Sequence, residues 1–296
     1  MNWLLFVVLS LIWGSSFILI KAGMETLSVL QVASLRIVSA GLVLLPLTIR
    51  HIRSIPRNRI GYVFLSGALG SLIPSYLFCL AETRVDSALA GTLNALTPIF
   101  AIIAGFIIFK FPVPSKKITG IVIAFIGCLA LLFSKGIKGN GEISYSLLIV
   151  LATFIYGVNV NLVKKYLNNI GSIKTASVAL SLSAIPALTV LISTGYFQVF
   201  TDPATFSGTL AASVLGIFGT AIATILFYML IKRAGVIFSS MTTYGIPFVA
   251  IGWGYIYNED IGWKQIVALL IILAGVYVAN RSGDIRPAEN LATIKS

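Results

Sequence analysis

The chain has 296 residues, of which 58% are hydrophobic and only 10% are charged, and its mean hydropathy is +1.00. Soluble globular proteins carry about 25% charged residues, so this composition excludes a soluble domain and indicates an integral membrane protein. The net charge of +12 would suit a nucleic-acid-binding protein only if the basic residues formed one surface patch. They are instead spread over short loops between apolar runs, as is usual in membrane topology. We therefore expect the lipid bilayer, and no nucleic acid, as the surroundings of this chain.

Ten apolar runs are long enough, or nearly so, to cross a bilayer as helices, which takes roughly 20 residues. They lie at about 3–21, 29–49, 60–81, 87–109, 118–134, 143–163, 173–194, 208–231, 236–257 and 265–280. The first run lacks the basic start and the cleavage site of a secretory signal, so we expect an uncleaved span. The short connections predict that neighbouring helices are antiparallel.

The basic residues predict the orientation of these spans. If the N-terminus is cytoplasmic, fifteen of the 21 Lys and Arg residues fall on the cytoplasmic side, five fall outside, and Arg36 lies within the second span. This bias is the one expected for membrane proteins. It predicts a multi-pass protein of the plasma or inner membrane with both termini in the cytoplasm.

The second half of the chain repeats the first. A shift of 143 residues places the first span on the sixth, and a shift of 149 places the third and fourth spans on the eighth and ninth. The matched pairs include Trp13 and Tyr156, Gly14 and Gly157, Lys21 and Lys164, Gly67 and Gly216, Gly70 and Gly219, and Pro98 and Pro247. Each half has five spans, an odd number, so the second half must be inverted in the membrane. We therefore predict an all-α membrane protein with ten transmembrane helices: inverted five-helix repeats at 1–138 and 139–282 around a central cavity, and a polar tail at 283–296. This architecture is typical of secondary transporters.

The stretch WGSS in the first span predicts part of the cavity wall. Gly14 and Gly157 permit close helix packing and are candidate hinges. Trp13 and Tyr156 stand beside them near mid-depth, away from the interfacial belt in which aromatic residues usually collect. We expect these two rings and Ser16 to line the cavity.

Two prolines mark further candidate positions in the fourth and ninth spans. Pro98 and Pro247 each remove a backbone hydrogen bond and free a carbonyl about one turn earlier, which inside a bilayer needs protein or cavity water nearby. The functional interpretation is a pair of hinged helices that present Asn94, Thr243 and Tyr244 to a substrate. The structural alternative is a pair of packing kinks, with Asn94 bonded to a neighbouring helix.

Other polar residues within the spans are weaker candidates. Asn159 and Asn161 are two residues apart and cannot share a helical face; Asn161 lies on the stripe of Gly157, so we expect Asn161 to face the cavity. Tyr76 and Tyr228 either add hydroxyl groups to the cavity wall or are core aromatic residues.

Few charged residues fall within the spans. Arg36 is either a counter-charge for a substrate carboxylate or a structural arginine that caps carbonyls or pairs at an interface. Lys21 and Lys164 are matched cations with a candidate charge role at the ends of the first and sixth spans. All nine acidic residues lie at span ends, in loops or in the tail, so no carboxylate at mid-depth can relay protons. Proton coupling would require Glu82 or Asp86 at a cavity mouth, or a substrate that carries the proton, and uncoupled efflux is the alternative.

Catalytic chemistry finds no support in the sequence. One histidine in a loop and two separate cysteines provide neither a base paired with a nucleophile nor a metal cluster, so we expect no enzyme activity, metal or cofactor. No GxxxxGK loop is present for ATP. A channel-like or structural membrane subunit is the remaining alternative. Gly120, Ala124 and Gly127 in the fifth span indicate packing at the periphery, which would suit a homodimer face.

Three stretches resemble the EamA family of the drug/metabolite transporter superfamily. They are WGSSFILIK followed by LQVASLRIVSAG, then AETRVDSALAGTLNALTP, and finally GYIYNEDIGWKQIVALLIILAGV, and together the resemblance covers essentially the whole chain. It implies ten helices with cytoplasmic termini, a cavity lined by the first, third, fourth, sixth, eighth and ninth spans, and outward transport of amino acids or other small metabolites. Such a carrier works by alternating access and has a small-molecule substrate as its partner. The chain departs from the family in the stretch Lys110-Phe111-Pro112, where an acidic residue often closes the fourth span.

Overall fold

The computed structural model describes residues 2–111, 115–132, 140–259 and 261–281. Within these ranges the regular secondary structure is helical, and no strand occurs. The polar tail predicted at 283–296 lies outside the described residues. The helices are α1 (Asn2–Gly14), α2 (Ser16–Met24), α3 (Val29–His51), α4 (Arg57–Gly67), α5 (Ile73–Ala81), α6 (Ser87–Asn94), α7 (Thr97–Ile107), α8 (Ser115–Leu132), α9 (Asn140–Tyr166), α10 (Ser172–Ser193), α11 (Tyr196–Val199), α12 (Phe206–Val214), α13 (Ala223–Ser240), α14 (Thr242–Ile256) and α15 (Trp263–Arg281).

Helical segments long and apolar enough to cross a membrane confirm a multi-pass membrane protein. Seven are found among the described residues: Asn2–Met24, Val29–Ser54, Arg57–Ala81, Ser87–Ile107, Ile143–Tyr166, Ser172–Ser193 and Pro203–Val236. They coincide with the predicted first to fourth and sixth to eighth spans. The other three predicted spans correspond to α8, to residues 236–256 and to α15, which do not join this set within the described ranges. The count of ten spans and the inverted repeat therefore stay predictions.

Several of these segments are interrupted rather than continuous. The first is broken at Ser15, and the fourth at residues 95–96, just before Pro98. The chain turns at Gly235, whose φ of +79° is one that glycine adopts without a steric penalty. Another break at Met241 precedes α14, which contains Pro247. The interruptions at Gly235 and Met241 explain why the predicted ninth span is not one long helix.

Two short π-helical segments interrupt the third and eighth predicted spans. The first is Ala68–Leu72, between α4 and α5, and the second is Leu215–Ile222, between α12 and α13. The shift of 149 residues that relates these spans places the first segment at 217–221, within the second. Single π turns inside α-helices are often found at functional sites.

Glycines allow close helix contacts that occur in both halves. A Cβ on Gly157 of α9 would lie 2.6 Å from the backbone nitrogen of Ala101 in α7, and next to the backbone of Phe100. A Cβ on Gly14 would collide with Val249 of α14. Since Val249 is 149 positions after Phe100, the matched glycines contact matched helices.

A second matched pair positions α3 and α10. A Cβ on Gly67 would collide with the carbonyl oxygen of Ala179 in α10, and one on Gly216 with the carbonyl oxygen of Arg36 in α3. Arg36 and Ala179 are 143 positions apart. Helices α3 and α10 also pack against each other, so they connect the two halves of the chain.

A capping box sets the start of α3. The Ser28 hydroxyl accepts a hydrogen bond from the Gln31 backbone N–H at 3.3 Å, and the Gln31 side-chain oxygen accepts one from the Ser28 N–H at 2.9 Å. This reciprocal arrangement satisfies backbone donors that a helix leaves free at its N-terminus. It fixes the first turn of α3 and places Arg36 about two turns into the helix.

Helices α8 and α15 pack against each other. A Cβ on Gly275 of α15 would collide with the backbone of Ala124 and lie 2.7 Å from the carbonyl oxygen of Gly120, and one on Gly127 would lie 2.8 Å from the backbone nitrogen of Ile272. The small residues of α8 therefore pack within the chain. Because α15 covers this face, a homodimer would need another surface, and dimerisation stays a prediction.

Candidate functional site

A central cavity lies between helices from both halves of the chain. Its wall is formed by residues of α1, α2, α3, α5, α6, α7, α9, α13 and α14 and of both π-helical segments. The cavity has a volume of about 80 Å³, whereas 10–15 Å³ is about what one water requires. The cavity therefore has room for several waters or for a small organic molecule.

Six of the nine residues predicted to line a substrate cavity lie in its wall. They are Trp13, Ser16, Asn94, Tyr156, Tyr228 and Thr243. They come from five different predicted spans, so the fold brings together positions that are far apart in the sequence. Their contact with a substrate stays a prediction.

The other three residues lie elsewhere. Tyr76 shares a hydrogen bond of 2.7 Å with Ser34 of α3, and the half-buried Tyr244 is outside the lining set. The placement of Asn161 in the cavity wall was wrong: its side-chain nitrogen donates to the carbonyl oxygens of Ala101 and Gly157, both at 2.8 Å.

The physical reason for this error is the glycine stripe itself. Gly157 marks the face of α9 that packs against α7, and Asn161 lies on that face. Its neighbour Asn159 points into the cavity instead. The repeat contains the missing signal, because a shift of 143 residues matches Asn159 with Ser16, which also lines the cavity.

Arg36 also lines the cavity, although the family resemblance implied no contribution from the second span. Its side chain is only 7% exposed, and its Nε donates a hydrogen bond of 2.8 Å to the Thr220 hydroxyl in the second π-helical segment. The sequence is compatible with either a counter-charge for a substrate or a structural arginine at this position. The geometry places a cation in the cavity wall.

The aromatic residues of the wall are held by contacts to the opposite half of the chain. The Trp13 indole donates a hydrogen bond of 3.0 Å to the carbonyl oxygen of Gly219, in the second π-helical segment. The Trp13 ring also meets Phe227 edge-on, with 5.1 Å between ring centroids. Tyr156 stacks on Phe78 with 6.1 Å between centroids. A buried indole N–H needs an acceptor, and this one finds it, which explains how an indole is stable at this depth.

The four candidate hinges have different surroundings. Gly14 ends α1 directly before the break at Ser15, and Pro98 lies in the first turn of α7 directly after the break at residues 95–96. Pro247 lies inside α14, whereas Gly157 lies in the unbroken helix α9. Bending at these positions stays a prediction.

One end of the cavity region carries an ion cluster that we call the Lys21 cluster, formed by Lys21, Asp86 and Glu259. Lys21 Nζ lies 2.6 Å from the Glu259 carboxylate and 3.8 Å from that of Asp86. The Glu259 carboxylate also accepts hydrogen bonds from the backbone N–H groups of Ser87 and Ala88, at 3.1 and 3.0 Å. Free N–H groups at a helix start favour an anion. The cluster thus joins α2, the start of α6 and the turn after α14.

A buried carboxyl group lies beside this cluster. Glu82 follows α5, is 4% exposed, and its oxygens accept no hydrogen bond within normal geometric limits. Burial raises the pKa of this carboxyl well above its usual range; the charge of Lys21 opposes the shift, that of Glu259 adds to it, and Arg36 and the Ser87 hydroxyl oppose it. Glu82 is therefore a carboxyl group that keeps its proton more readily than an exposed one.

The matched cation at the opposite end has different partners. Lys164 is exposed and its Nζ lies 5.9 Å from the centre of the Phe111 ring. Among the described residues, ion pairs are found only at Lys21. The two ends of the cavity region therefore differ in charge. In the same ranges, no group of three His, Cys, Asp or Glu side chains could hold a metal ion.

Comparison with known proteins agrees with this geometry. The model of the EamA-like transporter family matches residues 1–133 and 143–281. An uncharacterized transporter of Archaeoglobus fulgidus is 24% identical over 286 residues, which cover 95% of this chain and 99% of that protein. An S-adenosylmethionine/S-adenosylhomocysteine transporter of Chlamydia trachomatis is 25% identical over 83% of this chain and 78% of its own length. A crystal structure with 16% sequence identity has a TM-score of 0.63 and covers 93% of this chain and 95% of its own, which supports the fold. The family match spans nearly the whole sequence, and the chain belongs to the EamA-like transporter family.

Proposed function

We propose that this chain is a secondary transporter that exports small organic metabolites, amino acids or related compounds, by alternating access. In this proposal it has ten transmembrane helices, arranged as two inverted five-helix repeats with both termini in the cytoplasm. The membrane is the plasma or inner membrane. The observation that carries the proposal is the central cavity, whose wall combines Trp13, Ser16 and Asn94 from the first half with Tyr156, Tyr228 and Thr243 from the second.

Repeated contacts support the inverted repeat. The glycine contacts of Gly14 and Gly157, and those of Gly67 and Gly216, join corresponding helices. The π-helical segments also occupy corresponding positions. Two structurally equivalent halves that meet at a cavity can rock against each other and expose the cavity to each side of the membrane in turn.

The amino acid class is supported by the chemistry of the wall. Aromatic rings suit an apolar side chain, while Asn94, Asn159 and Arg36 offer hydrogen-bonding groups. The two compounds named for the Chlamydia relative also carry an amino acid group. A small zwitterion with an apolar body fits this combination.

Counterflow in proteoliposomes tests the proposal. Vesicles are loaded with a defined pool of unlabelled amino acids, and accumulation of each labelled compound outside equilibrium is measured. We expect saturable accumulation of one class, which Trp13→Ala abolishes. Trp3→Ala is the matched control, because Trp3 lies in the same helix and is 65% exposed. Fast, non-saturable leakage without exchange would contradict a carrier and favour the channel-like alternative.

A further inference from the structure

The cavity wall contains a cation without an anionic partner. The two ion pairs found among the described residues both belong to Lys21, so no described carboxylate lies within 4 Å of the Arg36 guanidinium. The Nε of Arg36 donates a hydrogen bond to the Thr220 hydroxyl, whereas Nη1 and Nη2 donate no hydrogen bond to another described residue. No lining residue is acidic.

An unpaired charge in such a place is costly. Ionised groups lose much of their hydration when they leave water, and within membrane spans they are rare and usually face a cavity with a partner. A guanidinium presents parallel N–H groups that match the two oxygens of a carboxylate. The partner that Arg36 lacks in the protein is thus best supplied by a carboxylate on the bound molecule.

A second polar group in the wall, the side-chain oxygen of Asn159, lacks a hydrogen-bond donor. Asn159 of α9 is 3% exposed, and its Oδ1 accepts no hydrogen bond from the described residues. The side chain occupies the space left by Gly70, where a Cβ would collide with Asn159 Nδ2. This contact holds the Asn159 amide against the first π-helical segment at Gly70. The amide oxygen still needs a hydrogen-bond donor. Buried acceptors of this kind are rare in native structures.

We propose that the cavity binds an α-amino acid zwitterion, with its carboxylate on Arg36 and its ammonium group on Asn159 Oδ1. The rings of Trp13, Phe78 and Tyr156 then contact the side chain of the ligand. This inference rests on the proposed function, since it names the ligand of the same cavity. It assigns opposite ends of the ligand to residues of different halves, Arg36 in α3 and Asn159 in α9.

Thermal stabilisation of the purified full-length protein tests this inference without any flux. The probes are L-phenylalanine, L-phenylalaninamide, 3-phenylpropanoate and phenethylamine, together with the corresponding leucine set. We expect the amino acid of at least one set to raise Tm, and loss of its carboxylate to weaken binding about 10- to 100-fold, because hydrogen bonds to charged groups are the stronger ones. Since binding is measured directly, a chain that fails the counterflow test can still pass this one.

Variants separate recognition from folding. Arg36→Gln should remove the preference for the acid over the amide, and Arg36→Lys, which keeps the charge but not the planar fork, should weaken binding of the amino acid about tenfold. Asn159→Ala should weaken binding of the amino acid but leave that of 3-phenylpropanoate unchanged. Arg84→Gln is the control, because Arg84 is exposed. Equal binding of amide and acid by the wild type, no stabilisation by any carboxylate, or an unchanged preference in Arg36→Gln would overturn the proposal.

Discussion

The Lys21 cluster should hold the extracytoplasmic side of the carrier closed, and Glu259→Gln should open it. Glu259 connects the end of α2 with the start of α6, and its side chain is only 6% exposed. In the proposed topology these elements meet at the outer surface. Alternating access requires that they separate there, so the contacts of Glu259 exist in only one of the two states.

The size of the effect follows from the contacts that the substitution removes. Hydrogen bonds to charged groups contribute about 1.5–3 kcal/mol each, and Glu259 takes part in an ion pair and two bonds to backbone N–H groups. Glutamine keeps one acceptor, and Asp86, 3.8 Å from Lys21, can replace part of the ion pair. We therefore expect a net loss of about 2 kcal/mol, which shifts the ratio of outward-open to closed molecules about 30-fold.

Thiol labelling from outside measures this shift. A cysteine at Ser71, which lines the cavity, is introduced into a chain with both native cysteines replaced by alanine. A membrane-impermeant maleimide is then applied to intact cells. Glu259→Gln should label up to about 30-fold faster than its parent, and Lys21→Gln should behave alike. Glu25→Gln is the control, since Glu25 is an exposed acid at the end of α2. Labelling at the parental rate in both cluster variants would refute the reasoning.

Three further predictions concern stability, each measured as Tm in detergent. Burial raises the pKa of Glu82 well above its usual range, so the folded state keeps a proton that the unfolded chain loses. Tm should therefore fall as the pH rises above the usual carboxyl range; Glu82→Gln should flatten this dependence, and an unchanged slope would contradict the reasoning. Gly157→Ala should destabilise the protein by about 1–3 kcal/mol because the added methyl meets backbone atoms of α7, whereas Gly252→Ala, which has open space around it, should not. Asn161→Ala should cost about 1–3 kcal/mol by removing one hydrogen bond to α7 and one within α9, and a stable variant with impaired transport would instead indicate contact with substrate.

Much of the architecture can be predicted from the sequence because bilayer thickness imposes a length on apolar runs. The seven long apolar segments coincide with predicted spans. Matched residues also predicted much of the cavity wall, since Trp13 and Tyr156 both lie in it. Periodicity could not predict the breaks at Ser15 and Met241, because both residues keep right-handed helical φ and ψ angles and the residues around them remain apolar or small.

The prediction failed where two chemical roles share one helix. Asn159 faces the cavity, whereas Asn161 faces α7. Their spacing in the sequence shows only that they lie on different faces of α9, not which of these faces lines the cavity. Arg36 could not be assigned from its depth alone, because its partner Thr220 is 184 residues away. The Lys21–Glu259 pair, 238 residues apart, likewise becomes visible only when the helices are packed.

The π-helical segments link the number of residues in a helix to the faces that it presents. A π turn contains one residue more than an α turn, so a change of Ala68–Leu72 to a regular α-helix without loss of a residue would rotate α4 against α5 by about 100°. Gly67 then leaves α10, or Phe78 leaves the cavity. Loss of one residue together with the π turn would instead keep both contacts, and the same relation applies to Leu215–Ile222. Aligned relatives of this chain should therefore keep the spacing of 11 positions between the glycine and the aromatic residue where the π turn is present, and shorten it by one where the helix is regular.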